Sequence, residues 1–218
     1  MSMTYSVNRD GAIKASGTPR ILVKGAYPGV FTRAEAITSS RGTSGIDFSF
    51  ISDDGAAADF LTIWTVNAKG EDLPGRNQVS ALMTCMAVRE MTVKRARIEK
   101  YNVEAGLREL MDADIFPDLM NKRIGLLLIN EEYLNASNVL KTKLVIVNMF
   151  DAASGKTAKE IWEKAAARDL PALTAALRDK PLSADKLHAV NPGITARQAA
   201  THADHDPFAL DQSDEIPF

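Results

Sequence analysis

The sequence predicts a mainly β protein with added helices, on three observations. Short apolar segments show period-2 alternation, Gly- and Pro-containing turn signals separate them, and a single amphipathic segment of helical period follows the third. Ile21 to Ile37 reads as the first strand, kinked at Gly25 and at Pro28-Gly29, because proline removes a ladder donor and glycine permits a bend. Ser39-Ser40-Arg41-Gly42 is a turn. Ile46, Phe48 and Phe50 then alternate with Asp47 and Ser49, which puts three apolar side chains on one face of a second strand closed by Asp53-Asp54-Gly55. Phe60 to Val66, aromatic and β-branched, is the third strand and ends at Asn67 to Gly70. After Pro74-Gly75, Val79, Leu82, Met83 and Met86 recur at spacings of three and four, predicting a helix over 77–91 capped by Asn77.

Thr92 to Asn121 is a basic run followed by a stretch over 106–119, where Leu107, Leu110 and Met111 predict a short helix stopped near Pro117. Ile124 to Leu134 and Val139 to Phe150 flank Asn135-Ala-Ser-Asn138 and predict a hairpin. Thr157 to Ala167 has helical composition with Ile161 and Trp162 as apolar anchors, and Leu170 to Arg178 adds a further turn or two. Beyond about residue 179 apolar periodicity fades into a disordered tether. Three strands, a helix and a two-stranded hairpin form the element order of the OB-fold, a five-stranded, partly open barrel with a helix between strands 3 and 4. The expected organisation is a flexible arm over 1–19, an OB-fold domain over 20–152, a helical extension over 153–178 and a disordered acidic tail over 179–218.

Net charge is only −2, yet its distribution is uneven. Asp204, Asp206, Asp211, Asp214 and Glu215 are the tail's acids, with no Lys or Arg among residues 204–218. Without them 26 basic residues face 23 acidic ones, so the body stands at +3 and the tail at −5. Such a tail competes with phosphates for a basic groove at low salt. The lone Cys85 excludes an intramolecular disulfide and a cysteine-based zinc site, which fits a reducing cytoplasm. No apolar run is long enough to span a bilayer and the first 17 residues lack a signal peptide's apolar stretch.

The chain ends Asp214-Glu215-Ile216-Pro217-Phe218, acids leading to an apolar tripeptide and the terminal carboxylate, a pattern suited to capture by a partner. This ending closely resembles the tip of bacterial single-stranded DNA-binding proteins. Lys122-Arg-Ile-Gly-Leu-Leu-Leu-Ile-Asn-Glu-Glu-Tyr133 and Phe150-Asp-Ala-Ala-Ser-Gly-Lys-Thr-Ala-Lys-Glu-Ile161 resemble two segments of phage and prophage OB-fold single-stranded DNA-binding proteins. Gly25-Ala-Tyr-Pro-Gly29 and Leu61-Thr-Ile-Trp64 add to that similarity, which covers most of residues 20–165. The resemblance implies a protein that coats and protects single strands in phage DNA replication, recombination or repair. It further implies recruitment, through the tip, of replication and repair partners such as a polymerase, helicase, primase or nuclease, in the cytoplasm of a bacterial host. An alternative is a recombination mediator that anneals complementary strands.

Strand binding without sequence preference needs outward aromatic platforms interleaved with cations. Phe48 and Phe50 share the parity of Ile46 and belong to the core, whereas Trp64 is open between core and platform. The smaller Val30, Thr32 and Ala34 suit a barrel interior, so Phe31 and Arg33 are expected to face outward. Lys94, Arg95, Arg97, Lys100 and Tyr101 form the strongest phosphate-tracking run, with a solvated helix face as the competing reading. Lys24, Arg41, Lys122 and Arg123 complete the expected strand-binding set, with Lys141 and Lys143 either continuing the track or protecting an edge. Enzyme readings fit poorly. Ala153-Ser-Gly-Lys-Thr157 imitates a P-loop but has Phe150 where the first glycine belongs. His202 and His205 lack an apolar framework to hold a metal, so no metal, cofactor or catalytic residue is expected.

Overall fold

The computed structural model describes residues 17, 19–102, 107–135 and 137–183. It is mainly β, with seven antiparallel strands and three α-helices among those residues. The strands are β1 (Gly25–Thr38), β2 (Ser44–Ser52), β3 (Ala57–Val66), β4 (Lys94–Asn102), β5 (Leu107–Ile115), β6 (Arg123–Leu134) and β7 (Leu140–Phe150). The helices are α1 (Gly75–Cys85), α2 (Ala158–Trp162) and α3 (Asp169–Ala175), with a 3-10 turn at Pro117–Leu119. Contacts divide the chain into two units, 1–131 with 142–180 and 132–141 with 181–218.

In the first unit β1 is the shared strand. Along one edge it pairs with β2, which pairs with β3; along the other its first half pairs with β6 and Glu35 pairs with Ile115 of β5. This meander, followed by α1 and by the β6–β7 pair, has the OB-type order, with the β4–β5 hairpin inserted ahead of β6. Among the described ladders none joins β3 to β7; α1 bridges that side, its Gln78 Nε2 donating to the Ile146 carbonyl at 3.4 Å. Phe31, Phe48, Phe50, Leu61, Leu82, Leu126 and Leu128 form the centre of the main core. A second, smaller cluster places Leu127, Ile129 and Phe150 against Leu170, Leu173 and Leu177, so α3 covers the other face of β6 and β7.

Several expectations are corrected. The segment after α1 is a β-hairpin, nine residues paired with nine, where a helix was expected over 106–119; only the short turn at Pro117 survives of it. The helix α1 begins at Gly75, with Pro74 at its cap and no side-chain cap from Asn77. Ala87 adopts a left-handed backbone (φ 52) and Val88 N–H returns to the Met83 carbonyl, ending the helix well before Met91. Gly75 is needed where it stands, because a Cβ there would strike the Trp64 carbonyl. The predicted β6–β7 hairpin is present; in the second unit its Asn135 side chain accepts from Ser137 and Val139 N–H, and Asn138 takes φ 60.

In the first unit, α2 starts with a capping box: the Thr157 hydroxyl accepts from Glu160 N–H while Glu160 Oε2 accepts from Thr157 N–H at 2.9 Å. Trp162, expected as an anchor, is instead 78% exposed; of the two expected anchors Ile161 packs against the core. No helix among the described residues is long and apolar enough to cross a membrane. Residues 1–16 and 184–218, including most of the expected arm and most of the expected tail, lie outside the described residues.

Candidate nucleic-acid interface

Two bulges against β2 decide which side chains face outward. On β1 the register jumps from Phe31 opposite Phe50 to Arg33 opposite Ser49, leaving Thr32 as the extra residue. An extra residue reverses the alternation, so Phe31 and Ala34 both point inward. The outward Phe31 expected from parity is therefore wrong: it is fully buried, stacked on Phe48 with ring centroids 4.4 Å apart. On β3 the register runs from Phe48 opposite Leu61 to Phe50 opposite Ala58, so Asp59 and Phe60 together face Ser49.

Phe60 absorbs that second bulge with a left-handed backbone, φ 59, in a region that bulky residues rarely enter. Its ring is 71% exposed. Trp64 follows on the same face, away from buried Leu61 and Ile63, and is 37% exposed. Gly45 on β2 makes room for it; a Cβ there would lie 3.0 Å from Trp64 Cε3. Trp64 is thus a surface residue and not a core one, and Phe60 is a second exposed ring on this face, which sequence reasoning assigned only to a strand.

Between the rings lies a half-buried charge network. The Arg33 guanidinium donates to Glu35 at 2.6 Å and to Asp47, and Lys100 Nζ reaches the other Glu35 oxygen at 2.6 Å. Thr62 Oγ1 donates to Asp47 at 2.6 Å and Arg33 Nε to Ser49 at 3.2 Å, so both buried carboxylates are satisfied. Arg33 lies on the side away from the core, but its side chain is only 15% exposed and its donors are committed to protein.

Free cations stand at the end of this face. Arg41, in the β1–β2 turn, is exposed and has no partner among the described residues. That turn touches the one after β3, since a Cβ on Gly42 would lie 3.1 Å from Ala68 Cβ. There Asn67 Oδ1 accepts from the backbone N–H of Lys69 and Glu71, shaping a turn that presents exposed Lys69. In OB-folds the strand 2–3 face and the loop between strands 1 and 2 form the usual oligonucleotide surface.

The basic run contributes less than its composition suggests. Strand alternation sends Lys94 and Lys100 to one face of the β4–β5 hairpin and Arg95 and Arg97 to the other. The partner strand brings acids into register: Arg95 bonds Asp114 at 3.2 Å, Arg97 lies opposite Asp112 and Lys100 opposite Glu109. Over both strands five basic residues meet four acidic ones, leaving +1. The backbone of Tyr101 is in β4, while its side chain is outside the described residues.

Lys24 is paired with Asp179 at 3.2 Å, and Arg123 with Asp53. Lys122 is exposed and makes no described ion pair. Asp214 to Phe218 and His202 and His205 lie outside the described residues.

The P-loop-like segment folds onto itself. The Asp151 carboxylate accepts from Ala153 and Ser154 N–H, and from the Ser154 hydroxyl at 2.5 Å. Burial raises its titration, but these bonds and Lys156 outweigh it and hold the carboxyl below its ordinary range. Thr157 is consumed by the capping box, so the hydroxyl a P-loop reserves for a metal is engaged. Glu160 is held down to about 2 by backbone N–H donation from Thr157, then from Arg168 and Asp169. Burial pushes the Cys85 thiol up to about 12, which suits packing and opposes nucleophilic chemistry.

No protein family matches the chain, and no curated protein is similar to it in sequence.

Proposed function

We propose that this chain is a non-catalytic single-stranded DNA-binding protein whose body coats exposed strands. The observation that carries the reading is the pair of outward rings on one strand of an OB-type barrel, Phe60 and Trp64, beside the exposed cations Arg41 and Lys69. Rings supply stacking that tolerates any base and cations supply the phosphate contacts. Phe60 strengthens the argument because its backbone is held in a costly conformation while its ring gains little packing. The terminal Asp214–Phe218 peptide complements the body in this reading, recruiting replication, recombination or repair enzymes in the host cytoplasm.

Substituting the rings tests the reading. Phe60→Ala and Trp64→Ala each remove one stacked base, an expected loss of about 1–3 kcal/mol. In fluorescence anisotropy with dye-labelled oligo-dT that is about a 5- to 150-fold weaker Kd. Unchanged affinity in both variants rejects this face as the binding surface.

A further inference from the structure

We propose a second contact for single-stranded nucleic acid, at the open cleft bounded by the end of α1, the start of β6 and the loop from β7 into α2. Trp162 is its stacking platform, and Lys122, Lys156 and Lys164 are its phosphate ligands. The inference rests on the strand-binding reading and extends it to a surface that shares no residue with the Phe60–Trp64 face.

The cleft encloses about 590 Å³ over a floor that includes Met86 and Ile161. Its wall carries Lys122, Arg123, Lys156 and Lys164 against a single acid, Asp151. That acid is already occupied by its own loop, and Arg123 by Asp53. Lys156 also acts on Asp151, yet three lysines against that one acid leave the cleft wall net positive, a standing attraction for a polyanion.

Trp162 stands at the rim. Its indole N–H donates to the Thr84 hydroxyl at 3.2 Å, Thr84 itself lining the cleft, and the ring is otherwise 78% exposed. A large ring fixed in orientation and left in water is poor economy for folding and well suited to stacking. An acidic peptide would also be drawn to the lysines, but an apolar side chain such as that of Phe218 needs an enclosing pocket. This cleft is open and ringed by cations, with a flat ring at its edge, which favours a base and its phosphates.

Trp64 and Trp162 are the two tryptophans of the chain, so each site carries its own reporter. The full chain is prepared as Trp64→Phe, which leaves Trp162, and as Trp162→Phe, which leaves Trp64. Each is titrated with oligo-dT of increasing length and with a peptide of residues 211–218, while a dye on the oligonucleotide reports total binding. The proposal predicts quenching of Trp162 by oligo-dT at lengths beyond those that saturate Trp64. That quenching should vanish when Lys122, Lys156 and Lys164 are all changed to Gln. Trp162→Ala should weaken binding of long oligo-dT about tenfold and leave short oligo-dT unchanged.

Quenching of Trp64 with Trp162 silent at every length overturns the second contact and leaves the first intact. A response of Trp162 to the peptide but not to oligo-dT also overturns it, in favour of a peptide dock. If neither tryptophan responds and the dye reports no binding, the strand-binding reading fails as a whole.

Discussion

Phe31 and Phe60 show how a single inserted residue redirects chemistry. Alternation along Val30 to Ala34 points Phe31 outward only if the strand is regular, and the bulge at Thr32 reverses it into contact with Phe48 and Phe50. Bulges of this kind leave no composition signature in Phe-Thr-Arg, so the error was built into the period-2 rule. Arg33 was legible as lying off the core, and Glu35 is its neighbour two residues along β1, but its other partner, Asp47, comes from β2 and lies beyond the reach of local pattern. The two phenylalanines should separate cleanly in experiment. Phe31→Ala opens a cavity in the core and should cost about 3–5 kcal/mol in denaturant unfolding. Phe60→Gly should leave stability equal or raise it by about 1 kcal/mol, because glycine relieves the left-handed backbone and the exposed ring packs little. The same Phe60→Gly chain should lose affinity for oligo-dT. Large destabilisation by Phe60→Gly would show that the ring serves folding.

At the scale of elements, β1, β2, β3, α1 and the β6–β7 pair were legible in order, because each has its own period and a turn signal on either side. The β4–β5 hairpin was not. Its alternation is blurred by exposed Leu110 and Met111 on positions facing opposite ways, and their spacing to Leu107 imitates a helix. Reading it as a hairpin changes the electrostatics as well as the fold, because cross-strand acids offset cations that look unopposed in sequence. Trp162 departs from expectation for a related reason: α2 has five residues, and its inward side is taken by Ala158, Glu160 and Ile161. The cap of α2 carries a pH signature. Glu160 titrates near 2 in the folded chain against an ordinary 4.5, so its stabilisation is complete above about 4.5 and is lost as pH falls through about 2. Glu160→Gln should therefore be less stable than the parent at neutral pH, and the gap should close between pH 4.5 and 2 in urea titrations. A gap constant down to pH 2 would mean the carboxylate's charge does not matter to the cap.

For the whole molecule, charge placement outweighs net charge. A chain at −2 gives no bulk attraction for DNA, yet the body without its last 15 residues is at +3 and presents exposed cations beside outward rings. The class of fold was legible from element order, whereas the exposed faces depended on bulges, cross-strand partners and one strained backbone, none of which has a local sequence signal. Under the proposed function, the body holds single strands by stacking and phosphate contact. Stacking requires unpaired bases, and phosphate contact releases counterions, so selectivity for single strands and salt sensitivity should appear together. The most direct test is a tryptophan-fluorescence titration of the full chain with oligo-dT and with duplex of equal length, at two salt concentrations. The expected result is much tighter binding of oligo-dT and an affinity that falls as salt rises, by about 0.7 log units in K per log unit of salt for each phosphate engaged. Equal affinity for duplex, or binding of oligo-dT that ignores salt, would contradict it.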